Sequence, residues 1–175
     1  MFDAQTCWVT PNSAFSLVGA AGAVVQLGNV IDLLGSGEGT QPNFIGNRSV
    51  YGVDPGIGFK PMAEIDLLAG LATGTAATAE FAIEYAPDNG SFYPGAWEIG
   101  STTGAKAVAE YPAGTQIRMD LPPAPPSTPT PRFVRAVLIV PAAEDLTAGT
   151  VAFAGIVMSR TDLVNKQAPN NFTQV

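Results

Sequence analysis

Ala79-Glu80-Phe81-Ala82-Ile83-Glu84-Tyr85-Ala86 alternates without a break. Phe81, Ile83 and Tyr85 fall on one side of an extended chain, and Glu80, Ala82 and Glu84 on the other. Successive side chains of a pleated strand point to opposite faces, so period two is a strand signal. A helix would scatter the three large apolar groups around its surface. The stretch predicts a strand with one face in a core and the glutamate face in solvent.

Working outward, residues 116–121 repeat the pattern, with Ile117, Met119 and Leu121 opposite Gln116, Arg118 and Asp120. Residues 62–69 set Ile65 and Leu67 against Glu64, Asp66 and Leu68. Residues 133–140 and 150–158 are apolar on both faces, as central strands are. Residues 24–27 and 30–34 read either as a strand pair or as one strand bulged around Gly28-Asn29. Residues 105–110 are a weaker candidate. Pro87-Asp88-Asn89-Gly90 is a turn, with proline presetting φ and Asn-Gly following. Gly (19) and Pro (15) are spread along all 175 residues, a spacing that long helices do not survive. The expected fold is all-β: a jelly roll or β-sandwich of about eight strands with long connecting loops, in one domain spanning 1–175.

Residues 35–61, 88–104 and 122–131 read as the long connections, the last with six prolines in ten residues. Its overlapping PxxP patterns suit a stiff polyproline connector between two strands, or a ligand for an SH3-type groove. Residues 1–11 read as a terminal arm, and the polar residues 165–175 as either an arm or a frayed end.

A chain of 175 residues buries roughly 70% of its unfolded surface, enough to fold without a disulfide or metal. Its single cysteine, Cys7, allows no intramolecular bridge. A net charge of −7 with no basic run argues against a nucleic-acid surface. Charged residues make up 13%, about half of the usual ~25%. Either much of the surface is neutral, or much of it is covered by other proteins. No secretory signal is expected, because the first basic residue is Arg48. The apolar stretch 15–34 is interrupted by Gln26, Asn29 and Asp32, so no membrane span is expected either.

The chain has no histidine, which removes the commonest general base, most zinc sites and any Ser-His-Asp triad. Cys7 reads as a small apolar residue rather than a nucleophile. Glu64/Asp66 and Glu80/Glu84 share strand faces, as a glycosidase pair would need, but read as solvent-face charges. Gly35-Ser36-Gly37-Glu38-Gly39-Thr40 lacks the lysine and helix of a phosphate loop. Asp88-Asn89-Gly90 lacks the ligand spacing of a calcium loop. The expectation is a non-enzyme with no cofactor and no metal.

Phe92, Tyr93 and Trp97 lie in a loop between strands. They are anchors for a partner, stacking platforms for a sugar, or caps folded back on the core. Arg132-Phe133-Val134-Arg135-Ala136 opens one strand. Thr147-Ala148-Gly149-Thr150-Val151 turns into another, which Ala152-Phe153-Ala154-Gly155-Ile156-Val157 completes. Upstream lie the 80–86 strand, a turn at 86–88 and Trp97. Near the start, Met1-Phe2-Asp3-Ala4-Gln5-Thr6 leads to Val30-Ile31-Asp32-Leu33-Leu34. In this order the chain resembles the capsid cement, or decoration, proteins of short-tailed bacteriophages over nearly its whole length. The resemblance rests on fold signatures rather than site signatures.

That resemblance implies a jelly roll on the outer surface of a virion head, clamping neighbouring major capsid subunits as a homo-dimer or homo-trimer. It implies synthesis in the host cytoplasm and no contact with nucleic acid or membrane. Contacts are expected from the projecting parts: 1–11, 35–61 and above all 88–104. Candidate interface residues are Phe92, Tyr93, Trp97, Phe44, Tyr51 and Trp8. The competing expectation is a carbohydrate-binding jelly roll that stacks sugars on Phe92, Tyr93 and Trp97.

Overall fold

The computed structural model describes residues 7–11, 13–19, 22–32, 61–73, 78–91, 93–121, 131–141 and 145–158. Among them are eleven strands: β1 Cys7–Val9, β2 Phe15–Ser16, β3 Val24–Gln26, β4 Ile31–Asp32, β5 Pro61–Thr73, β6 Thr78–Ala86, β7 Glu98–Thr102, β8 Lys106–Ala107, β9 Gln116–Asp120, β10 Phe133–Ile139 and β11 Leu146–Met158. A 3-10 turn, Val108–Glu110, is the sole helical piece among these residues, and it is far too short to cross a membrane.

The strands form two antiparallel sheets packed face to face, an all-β sandwich. One sheet runs β1-β11-β5-β9, with β2 following β1 along the same side of β11. The other runs β3-β10-β6-β7, with β4 beside β10 and β8 beside β6. The count exceeds eight because five elements are only two or three residues long, too short for a periodic signal.

The alternation read from the sequence forms the core. Phe81, Ile83 and Tyr85 of β6 meet Ala63, Ile65 and Leu67 of β5 and Ile117 and Met119 of β9, all buried. Strands β10 and β11 are central, each flanked on both sides. Residues 24–32 resolve to the bulged reading. Strands β3 and β4 both pair with β10, one after the other, and Gly28 turns between them at φ 61°.

Three expectations change. The second face of β6 is not in solvent: Ala82 and Ala86 are fully buried, and Glu84 is only 7% exposed. Part of the 88–104 loop is a strand, β7. It carries one large apolar side chain, so backbone pairing to β6 makes it a strand rather than hydrophobic pattern. Gly100 lets β7 approach, since a Cβ there would sit 2.4 Å from the Tyr85 ring. Finally, residues 7–9 belong to the sheet rather than to an arm. Trp8, expected at an interface, is 1% exposed, and its indole N–H donates across the sandwich to the Val134 carbonyl at 3.2 Å. A buried indole needs such a partner, and here it links the two sheets.

Candidate interface on the aromatic loop

Strand β6 ends at Ala86, and β7 begins at Glu98. The chain between them folds back on itself through its own backbone. The Asn89 N–H donates to the Tyr93 carbonyl at 3.0 Å, and the Gly95 N–H to the Pro87 carbonyl at 2.8 Å. Asp88 Oδ1 accepts from the Gly90 N–H and Asn89 Oδ1 from the Ser91 N–H, each at 2.9 Å. These are the local side-chain turns that Asp and Asn form readily. The loop is therefore shaped before any partner arrives. Tyr93, 68% exposed, projects from it and is the most exposed large hydrophobic residue described.

Two arginines of the β10 segment hold this loop. Arg132, 7% exposed in its side chain, donates from Nη2 to Asp32 Oδ2 at 2.8 Å and from Nε to both Asp32 oxygens. Its Nη1 donates to Asp88 in the loop. Its backbone N–H closes the arrangement on the Ala86 carbonyl at 3.0 Å. Donating hydrogen bonds to Asp32 pushes the guanidinium pKa above its ordinary value, outweighing desolvation, so the charge is permanent. Three residues on, Arg135 donates from Nε to Glu84 Oε2 at 2.7 Å and from Nη1 to Gln26 at 3.3 Å. Its guanidinium carbon lies 4.1 Å from the centre of the Trp97 ring. Opposite residues in an antiparallel ladder share a face, and Arg135 is opposite Glu84. Trp97 therefore closes over an ion pair on the outer side of the β10–β6 sheet, which explains why Glu84 is buried.

Of the six candidate residues, the structure brings Tyr93 and Trp97 together on one loop and removes Trp8 to the core. Phe92, Phe44 and Tyr51 lie outside the described residues. So do residues 33–60, 122–130 and 159–175, which hold most of the expected long loops and the C-terminal arm. Trp97 is a half-buried ring stacked on a cation. The anchoring roles of Arg132, Arg135, Asp88 and Glu84 were not read from the sequence. The available signal was Arg132-x-x-Arg135 in a chain with only eight basic residues.

The acidic pairs are placed as follows. Glu64 accepts from Arg118 Nε at 2.8 Å. Asp66 Oδ1 is buried without a hydrogen-bond partner among the described residues. Glu80 accepts from the Thr102 hydroxyl, and Glu84 holds Arg135. Among the described residues, no three of His, Cys, Asp and Glu group into a metal site. Cys7 is a buried thiol in β1. No protein-family model matches the chain, and no curated protein matches its sequence.

Proposed function

We propose that this protein is a structural virion protein that binds the outer surface of a bacteriophage head and cements neighbouring major capsid subunits. The observation that carries the reading is the aromatic loop: a preformed turn pinned by Arg132 and presenting Tyr93 to solvent. A rigid loop loses little entropy on binding, and a tyrosine supplies large contact area with only two side-chain torsions. Many copies acting together make modest individual contacts sufficient. The acidic balance of −7 suits the outside of a head better than a face turned to packaged DNA. The resemblance to cement proteins points the same way. A sugar-stacking module is the weaker reading, because Arg135 already occupies one face of Trp97.

The test uses heads of the phage that carries the gene, grown with the gene disrupted. Purified protein should decorate them, as read by co-sedimentation and image reconstruction. Tyr93→Ala should weaken decoration by roughly 30-fold, the effect of a hot-spot ring. The free variant should melt within ~0.5 kcal/mol of the parent, as a surface substitution does. Wild-type protein that leaves such heads bare would overturn the function. A Tyr93→Ala variant that decorates normally would remove the loop from it.

A further inference from the structure

A second site lies at the other end of the β6–β7 hairpin from the aromatic loop. There β8, the 3-10 turn and the edge strand β9 enclose an open cavity of about 420 Å³. We propose that this cavity binds an acidic sugar, a carboxylate flanked by hydroxyl groups. The volume suits a ligand of monosaccharide size.

Its walls supply both halves of that chemistry. Lys106, exposed on β8, has no ion pair among the described residues. Arg118 gives its Nε to Glu64, which among the described residues leaves the two Nη groups of its fork for a ligand. A carboxylate between these cations would gain charge-assisted hydrogen bonds. Glu110 lines the same cavity and as a carboxylate accepts hydrogen bonds, so it suits the sugar hydroxyls and directs the ligand's carboxylate away from itself, toward Lys106 and Arg118. At the back, the Tyr111 and Thr103 hydroxyls lie 3.2 Å apart in a fixed hydrogen bond. The Thr115 hydroxyl is committed as donor to the Pro112 carbonyl at 2.7 Å and keeps acceptor capacity. Tyr111 is buried against Phe81, ring centres 5.3 Å apart, so this wall is rigid. Burial raises the Tyr111 pKa, so the phenol stays protonated.

The site is independent of the proposed docking loop. The 79–86 stretch of β6 separates the two by roughly 20 Å of extended chain. Failure of one reading therefore leaves the other standing.

The experiment is an amide-resolved NMR titration of the full chain with glucuronate, glucose, acetate and a hyaluronan tetrasaccharide. Glucuronate should give saturable shifts around Lys106, Thr115 and Arg118, with a dissociation constant on the order of 1 mM, as suits a ligand this small. Glucose lacks the carboxylate and acetate lacks the hydroxyls, so each should bind about tenfold more weakly or worse. Lys106→Gln, an exposed change that leaves the fold intact, should weaken glucuronate by about tenfold. Tetrasaccharide binding tighter than glucuronate identifies an acidic polysaccharide as the source, and equal binding identifies the single sugar residue. Acetate binding as well as glucuronate, or no saturable shift with glucuronate up to about 50 mM, fifty times the expected constant, overturns the proposal.

Discussion

Trp97 and Trp8 are the same residue type in opposite situations, and the difference sets what each substitution does. Trp8 is sealed between the sheets. Trp97 covers Arg135 with one face and remains half-buried. Trp97→Ala removes a partly desolvated cation–π contact, and should destabilise the free protein by about 1–2 kcal/mol. That is less than the ~3–5 kcal/mol of a core tryptophan. A chemical denaturation curve beside head binding separates the two contributions, and a cost as large as a core tryptophan's would contradict the placement. Asp66 carries a different liability. Burial, and then the neighbouring Glu64 charge, raises its carboxyl pKa above the usual value, against a hydrogen bond from Gln116. A raised pKa means the folded state prefers the protonated acid. The native protein thus loses stability as pH rises from the unfolded value near ~3.9 through the raised folded value. Asp66→Asn mimics the neutral acid and should be more stable than the parent at pH 7, by urea midpoint. The advantage should vanish below about pH 3.9, where both states are protonated. An advantage that persists there would refute the assignment.

At the scale of elements, the β3–β4 bulge shows how much one glycine decides. Gly28 adopts φ 61°, and a Cβ there would come within 2.1 Å of the Trp8 carbonyl oxygen. That same oxygen accepts from the Asn29 N–H at 2.9 Å. A methyl group would strain the backbone and push β1 away, taking the Trp8 bond to Val134 with it. Gly28→Ala should cost about 2 kcal/mol or more, seen as a lower urea midpoint with an unchanged slope. A variant as stable as the parent would mean that β1 is not held against the bulge. The sequence offered two readings of this region because Val24 to Asp32 carries enough apolar residues for either. Register against β10 chose between them. The β7 stretch read as loop in the sequence, since a strand recruited by a neighbour's free edge needs little pattern of its own.

At the scale of the molecule, low charge and a half-apolar composition predict self-association. Sedimentation velocity across a concentration series should show a dimer or trimer, and reconstructions of decorated heads should show the same unit. Obligate interfaces typically bury more than ~2,000 Å² and are more apolar than ordinary surface. A protein that stays monomeric in both measurements would contradict this.

The sequence by itself determined the all-β class, the inward faces of β5, β6 and β9, and the central position of β10 and β11. These are consequences of local alternation and of apolar faces that must be buried. It did not determine which aromatic is core, which face of β6 is covered, or where the long loop becomes strand. Those depend on partners far apart in the chain. Arg132 meets Asp32 a hundred residues upstream, and Trp8 bonds to Val134 across the sandwich. Side-chain type sets what a residue can bond to. Only the packing of two sheets decides which of those bonds form, because a polar group buried without its partner is costly.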